Sequence, residues 1–181
     1  MLSPYSDPAY RITQERRTLA IIVDNEPGVL ARIAGMFSGR GYNIESLTVS
    51  ETEHEKHLSR ITVVTRGTPQ VLDQIKAQLE RLVPVHRVVD LTLSGQNIER
   101  ELALVKVRQE GADRSEHRME ALRLATAFGA KPIDATLNSF VFEIAGSAEE
   151  VERFIALMAN IGLIEVARTG SAAIARGAEG L

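Results

Sequence analysis

The first half of the chain alternates between the periodicities that are typical of strands and of helices. A continuous apolar run, LAIIV, predicts a first strand at about Arg17–Asp24. From Leu30 onward, apolar residues recur at i, i+3, i+4 and i+7, which predicts a helix at about Pro27–Gly39. Pro27 suits the first turn of that helix, because its missing N–H would have no partner there. The glycines of Gly39–Gly41 are placed to end it.

Three further strands and one further helix are predicted before the chain reaches residue 94. Alternating or β-branched residues mark the strands, at about Asn43–Ser50, His57–Thr65 and Val85–Leu93. The helix begins at Thr68, a capping residue that is followed by a proline. The predicted order is therefore β-α-β-β-α-β, the order of a ferredoxin-like unit.

The same order of elements is predicted a second time, after a polar break at Ser94–Asn97. The second set comprises strands at about Glu101–Val107, Pro132–Thr136, Ser139–Ala145 and Ile164–Arg168, a helix at Ser115–Phe128, and a helix that a capping box of Ser147 and Glu150 begins. The sequence thus predicts the α+β class, with two ferredoxin-like domains at 17–94 and 97–170. Residues 1–16 are predicted to be a flexible tail, and residues 171–181 a frayed one.

Each unit should place two helices on one face of a four-stranded antiparallel sheet. The second and third predicted strands carry apolar residues on both faces, which indicates that the face without helices is also buried. Another domain or subunit is the expected cover. We therefore expect at least a dimer.

Composition limits the classes of function that fit. Of the 181 residues, 44% are hydrophobic and 25% charged, as in ordinary globular domains. The formal net charge of −3 gives no reason to expect a polyanionic partner, so no nucleic acid is expected. The chain has no cysteine, which excludes disulfides and thiolate-ligated metals. The N-terminus lacks the apolar centre of a signal peptide, and no apolar run approaches the roughly 18 residues of a membrane span. A soluble, cytoplasmic protein is expected.

Groups that could carry catalysis are scattered. His54 and His57 share a charged loop but supply too few ligands for a metal site. No Gly-x-Ser-x-Gly elbow or phosphate-binding loop is present, and the glycines at Gly39–Gly41 follow a helix rather than a strand. Phe140 and Phe142 lack the basic motif that accompanies stacking aromatics in RNA-binding domains, so we interpret them as core residues.

The turn at Asp24–Leu30 is the one candidate binding feature. A strand leads into a polar turn and then into a helix N-terminus, whose unpaired N–H groups could hold a carboxylate or phosphate. Gly28 would allow close approach to the backbone, because it has no Cβ. An ordinary connection between a strand and a helix explains the same residues, so this motif alone leaves both interpretations open.

Longer stretches resemble the small, regulatory subunits of acetolactate synthase (acetohydroxyacid synthase). The resemblance is carried by Asn25–Ile33 and Phe37–Val49, and further by Leu58–Thr62, Glu99–Val107 and Ile164–Gly170. It extends in order over about residues 17–177. Only the N-terminal tail and the Glu51–His57 loop look peculiar to this chain.

The resemblance implies an N-terminal ACT domain and a C-terminal domain of related build. ACT domains of this family pair across a subunit interface and hold an amino-acid effector there. Carried over by motif, Asn25 would bind the effector's polar groups, and the N–H groups that follow Pro27, at Gly28, Val29 and Leu30, would bind its carboxylate. The neighbouring chain would supply Asn43 and Ile44. The site residues so implied are Asn25, Pro27, Gly28, Val29, Leu30, Asn43 and Ile44.

The resemblance also implies a role. Such subunits carry no catalytic site; they activate a large subunit and confer feedback inhibition by a branched-chain amino acid, usually valine. Thiamine diphosphate, FAD and magnesium would belong to that large subunit, so no cofactor is expected on this chain. Two alternatives remain: a stand-alone enzyme of ferredoxin-like fold, and an amino-acid-sensing domain that serves a different enzyme.

Overall fold

A computed structural model describes residues 13–53, 57–93, 95, 97–108 and 114–181. The elements are β1 (Glu15–Asp24), α1 (Val29–Gly39), β2 (Ile44–Glu53), β3 (Leu58–Gly67), α2 (Pro69–Leu79), β4 (Val85–Asp90), β5 (Asn97–Arg108), α3 (Arg114–Phe128), β6 (Lys131–Ala135), β7 (Ser139–Gly146), α4 (Ala148–Ala159), β8 (Leu163–Arg168) and β9 (Ala172–Ala175). The chain divides between residues 96 and 97 into two compact units, the first of which also takes in residues 180 and 181.

The first unit is a four-stranded sheet with the strand order β2-β3-β1-β4. All three strand pairs are antiparallel. Alternate residues of β1, namely Leu19, Ile21 and Val23, are buried in the same hydrophobic core as Ile33 and Phe37 of α1. The apolar residues that predicted β1 and those that predicted α1 therefore pack in one core. The predicted β-α-β-β-α-β order is confirmed.

The opposite face of this sheet is buried at its centre as well. Thr18 lies opposite Val64 and Ala20 lies opposite Thr62 across β1 and β3, and all four residues are buried. The burial of both faces that was predicted for the second and third strands is thus confirmed for β3 but not for β2, in which no residue from 44 to 52 is fully buried. Because the four residues of β1 and β3 are already buried in a single chain, their burial does not require a second copy, and the dimer stays a prediction.

The second unit repeats the arrangement, with the strand order β6-β7-β5-β8. Phe140 and Phe142 of β7 are buried in its core together with Phe154 of α4, so their interpretation as core residues is confirmed. The two rings of Phe142 and Phe154 pack edge to face with their centroids 6.2 Å apart. The α+β class with two ferredoxin-like units is confirmed.

The C-terminal segment corrects the prediction of a frayed tail after Gly170. Residues 172–175 form β9, which pairs antiparallel with residues 97–100 of β5. The predicted strand began at Glu101, so it lacked the four residues of β5 whose backbone pairs with β9. Small side chains suggested disorder, yet Ala173, which lies opposite Glu99, is buried. At the other end of the chain, β1 begins at Glu15, and residues 1–12 of the predicted tail lie outside the described residues.

The ends of the helices follow the predicted capping residues in most cases. The Thr68 hydroxyl accepts from the Val71 N–H at 3.3 Å, and Ser147 with Glu150 forms the predicted capping box. α1 ends in a Schellman motif, in which the N–H of Tyr42 donates to Phe37 O at 3.0 Å and the N–H of Gly41 donates to Ser38 O at 3.2 Å. Gly41 has φ 69°, so it is the left-handed residue of this motif. In the described part of the chain, no helix is long and apolar enough to cross a membrane.

Candidate functional site

The turn between β1 and α1 is held at two consecutive residues. The Asp24 N–H donates to Pro84 O at 2.9 Å, and the Asn25 N–H donates to His57 O at 2.7 Å. The Asp24 carboxylate also forms a hydrogen bond with His86 Nε2 at 2.6 Å. The turn is thus fixed from the β3 side and from the β4 side of β1. The side chain of Asn25 is exposed beside these anchors.

The helix begins two residues later than the sequence indicated. α1 starts at Val29, and Gly28 is its N-cap with φ 90° and ψ −7°. The prediction that Pro27 lies in the first turn of the helix is therefore wrong. A left-handed residue must intervene between Pro27 and the first helical residue, and glycine adopts that conformation without steric cost. The first intrahelical bond runs from the Arg32 N–H to Gly28 O at 3.0 Å.

No side chain caps the N-terminus of α1, and its first turn contains no acidic residue. In contrast, Thr68 caps α2 and Ser147 caps α4. A Cβ built at Gly28 would meet no atom within 4 Å, so the space above this glycine is open. The partial positive charge of a helix N-terminus attracts anions by about 0.3–1 kcal/mol at an exposed position. The turn could accept an anionic group here without displacing a side chain.

The backbone donors at this end differ in availability. The Val29 N–H already makes a long contact with Glu26 O at 3.4 Å, which closes the turn that precedes the helix.

The first two side chains of α1 point in different directions. Leu30 is exposed even though it is apolar, with 43% of its surface accessible. Val29 is buried and packs into the core of the first unit. Its side chain therefore supports the helix, whereas Leu30 faces outward beside the turn.

Asn43 and Ile44 lie at the start of β2, away from this turn. The backbone carbonyl of Asn43 accepts from Thr65 Oγ1 at 2.6 Å, and the Asn43 side chain is exposed. Ile44 is half-buried and packs against the core of its own unit. The strand register shows where the pair sits, because Ile44 lies opposite Thr65 of β3 whereas Asp24 lies opposite Leu58.

Thr65 and Leu58 are seven positions apart on β3. At the usual rise per residue, this spacing separates the start of β2 from the Asp24 turn by roughly 23 Å. The seven residues singled out in the sequence thus form two groups at opposite ends of one sheet. A single chain does not bring them together.

Other candidate chemistry is sparse in the described residues. Within the ranges that the structure describes, no three His, Asp or Glu side chains converge as metal ligands would. His54 lies outside the described residues. His57 is described and has φ 50°, a left-handed conformation that is uncommon for a residue other than glycine. Its role, which no sequence pattern indicated, is to present a backbone carbonyl to Asn25.

Comparisons with known proteins agree over both units. Residues 19–87 match the family model described as the AHAS small subunit-like ACT domain, and residues 100–177 match the one described as the small subunit of acetolactate synthase. The acetolactate synthase small subunit of Haemophilus influenzae is 41% identical over 163 residues, which cover 90% of this chain and 96% of that protein. The chain belongs to the acetolactate synthase small-subunit family.

Two further members of this family are similar to the chain over about nine tenths of its length. The small subunit of acetolactate synthase isozyme 3 from Escherichia coli is 40% identical over 163 residues, covering 90% of this chain and 96% of that protein. The crystal structure of the acetolactate synthase small subunit from Thermotoga maritima matches with a TM-score of 0.80 and 35% identity, covering 91% of this chain and 99% of that one. Membership as a small subunit implies a large, catalytic subunit as partner.

Proposed function

We propose that this chain is the non-catalytic regulatory subunit of acetolactate synthase and confers feedback inhibition by a branched-chain amino acid, with valine as the effector. In this proposal the chain also activates its large subunit, which holds thiamine diphosphate, FAD and magnesium. One observation carries the proposal. The α1 N-terminus is uncapped and open, with the exposed side chain of Asn25 beside it, inside the segment that matches the ACT domain of these small subunits.

The chemistry of an α-amino acid suits such a turn. Its carboxylate would face the N-terminus of α1, where backbone N–H groups and the helix dipole favour an anion. The Asn25 side chain offers both a donor and an acceptor for the carboxylate and ammonium groups. Apolar contacts would then select by size, and one methylene changes affinity by only about 1–3 kcal/mol. We therefore expect valine, leucine and isoleucine to compete for one site with graded affinities.

A second copy of the chain would complete the site, and the strand register supports this arrangement. β2 is an edge strand of the first unit. Its far end, at Glu53, lies opposite Leu58, which in turn lies opposite Asp24. If two β2 strands pair antiparallel, the Ile44 end of one strand meets the Glu53 end of the other. Asn43 and Ile44 of one copy would then lie at the same end of the combined sheet as the Asp24 turn of its partner, about three strand spacings away.

The exposure of two apolar side chains supports β2 as the strand through which two copies pair. Val49 in the middle of β2 is 45% exposed, and Leu30 at the start of α1 is 43% exposed. An edge strand that carries exposed apolar side chains is a template for pairing with another strand. A dimer through β2 would cover both the backbone edge and these side chains.

Inhibition in this scheme is a coupling between two binding events. The effector stabilises the arrangement of the small subunit that supports less activity, and binding to the large subunit shifts effector affinity by the same factor. The effector needs no contact with the catalytic site. Its influence is limited by the difference between its affinities for the two arrangements.

The first experiment measures valine binding to the full chain by calorimetry, in the wild type and in Asn25→Ala and Gly28→Asp. We expect weaker binding in both variants, and the larger loss in Gly28→Asp, because a carboxylate there would occupy the place of the effector's own. Gly177→Asp is the matched control, since Gly177 also has a positive φ and open space where a Cβ would lie. Wild-type affinity in both site variants would contradict the proposed site.

The second experiment tests the role. Purified large subunit is assayed for conversion of pyruvate to acetolactate with and without this chain, and with each of valine, leucine and isoleucine. We expect activation by the chain and inhibition by valine that Gly28→Asp abolishes. Acetolactate formation by this chain alone would overturn the proposal of a non-catalytic subunit.

A further inference from the structure

His86 of β4 contacts the proposed effector turn, the segment Asp24–Gly28, although no pattern in the sequence singles it out. Its Nε2 lies 2.6 Å from Asp24 Oδ1. An ionised carboxylate can only accept, so Nε2 carries the hydrogen of this bond in the neutral and in the charged ring alike. Asp24 directly precedes Asn25 in the chain. We propose that His86 is a positioning residue for the effector turn, an inference that rests on the proposed function.

A bulge in the sheet directs His86 to this place. In the pairing of β1 with β4, Ile22 lies opposite Arg87 and Val23 lies opposite Val85, so His86 is the extra residue between two registered pairs. Bulges of this kind bend the strand locally and redirect a side chain. Had the register continued without the shift, His86 would take a regular place in the ladder. The irregularity instead brings its ring to the end of β1.

The contact supplements two backbone bonds that hold the same turn. The Asp24 N–H is bound by Pro84 O and the Asn25 N–H by His57 O. These bonds fix where the backbone leaves β1, but they leave the Asp24 side chain free to rotate. His86 holds that side chain toward β4. The turn therefore has three anchors on two adjacent residues, and His86 supplies the one that acts through a side chain.

Two consequences follow for an effector at the N-terminus of α1. First, a turn already fixed in its binding geometry loses less conformational entropy when the ligand arrives, which raises affinity. Second, Asp24 carries a negative charge four residues before Gly28, and an effector carboxylate at Gly28 is repelled by any carboxylate that approaches it. By binding Asp24 on the β4 side, His86 keeps this charge away from the anion.

The test compares valine binding to the full chain across His86→Ala, His86→Gln, Asp24→Ala and the double variant of Ala at both positions. His86→Ala should weaken binding by about threefold to tenfold, as expected for one exposed, charge-assisted hydrogen bond. His86→Gln should restore affinity to within about twofold of the wild type, because its amide nitrogen can donate to the same oxygen. The double variant should bind no more weakly than His86→Ala, since Asp24→Ala removes only the partner of the lost hydrogen bond and a charge that repels the effector.

Controls separate positioning from general stability. His117→Ala makes the same substitution in α3 of the second unit and should leave valine affinity unchanged. Amide hydrogen exchange at Asn25 should become faster in His86→Ala and return to the wild-type rate in His86→Gln. Equal losses of affinity in the Ala and Gln variants would show that the ring serves packing rather than this hydrogen bond, and would overturn the inference.

The outcomes also distinguish this inference from the function on which it rests. If Asn25→Ala loses valine binding while His86→Ala keeps wild-type affinity, the effector site stands and the role of His86 is refuted. If the wild-type chain shows no valine binding at all, the proposed function and this inference both fail. Loss of affinity in His86→Ala with rescue by His86→Gln supports both.

Discussion

Gly162, between α4 and β8, is a position where one added methyl group should be strongly destabilising. It has φ 117°, and a Cβ there would meet Arg108 O well inside van der Waals contact. The same pair of residues is joined by a hydrogen bond from the Arg108 N–H to Gly162 O at 2.8 Å. The added Cβ would therefore clash with a backbone atom, and not with a flexible side chain that could move aside. Gly162→Ala must shift the start of β8 away from the end of β5.

The expected loss follows from the terms that the substitution changes. An alanine forced into this conformation costs about 1–3 kcal/mol in backbone strain. Loss of the hydrogen bond with Arg108 costs about 1 kcal/mol more. We therefore expect Gly162→Ala to lower the free energy of unfolding of the second unit by roughly 2–4 kcal/mol. Gly35→Ala is the matched control, because Gly35 lies within α1 and a Cβ there meets nothing within 4 Å. It should raise stability by about 0.5–1 kcal/mol.

Urea denaturation followed by circular dichroism measures both changes. With a slope of about 1–3 kcal/mol per molar urea, the transition of the second unit should move to lower urea by about 1 M or more in Gly162→Ala. Amide exchange should assign this loss to β5 and β8 rather than to the first unit. A Gly162→Ala chain that unfolds at the wild-type urea concentration would refute the steric argument. So would a Gly35→Ala chain that is destabilised as strongly.

Two further predictions concern ion pairs and a helix cap. Arg17 and Asp90 are both buried and joined at 3.3 Å, so Arg17→Ala leaves a buried carboxylate without its counterion and should cost about 3 kcal/mol in a urea titration. Asp73→Ala, which removes an exposed partner of the same arginine, should cost less than about 1 kcal/mol, and equal losses would contradict this account. The backbone N–H of Ser147 holds the pKa of Glu150 below its usual range. The stabilisation it provides is then fully present above the unfolded pKa of about 4.3 and lost as pH falls through the lower folded pKa. Glu150→Gln should flatten the dependence of the melting temperature on pH below about 4.3, and an unchanged slope would refute the assignment.

Local chemistry was enough to predict most of the elements. The apolar spacing in α1 and in β1 reflects one shared core, so the sequence pattern and the fold coincide there. Caps were predicted well where a side chain does the capping, as at Thr68 and Ser147. The start of α1 was predicted wrongly because the preference of Pro27 for a first turn competes with the left-handed conformation of Gly28, and the glycine determines where the helix begins.

Features that depend on distant pairing could not be predicted in this way. β9 forms because β5 begins four residues before its apolar segment, and those four residues pair with β9. Nothing in the small residues of 172–175 indicates that residues 97–100 are their partner. The anchors of the effector turn are of the same kind. His57 contributes a backbone carbonyl and His86 a side chain redirected by a bulge, and both lie far along the chain from Asn25. Their roles follow from strand register, which a single sequence does not encode locally.

The strand register also gives the proposed regulation a physical basis. Within one chain, the Asp24 turn and the Asn43–Ile44 pair lie at opposite ends of the sheet, level with Leu58 and Thr65 of β3. An effector that contacts both groups must therefore bind two copies at once. Binding then stabilises the dimer, and the dimer strengthens binding, by the same free energy. A subunit built in this way would respond to its effector through assembly geometry, as the proposed role of a non-catalytic regulator requires.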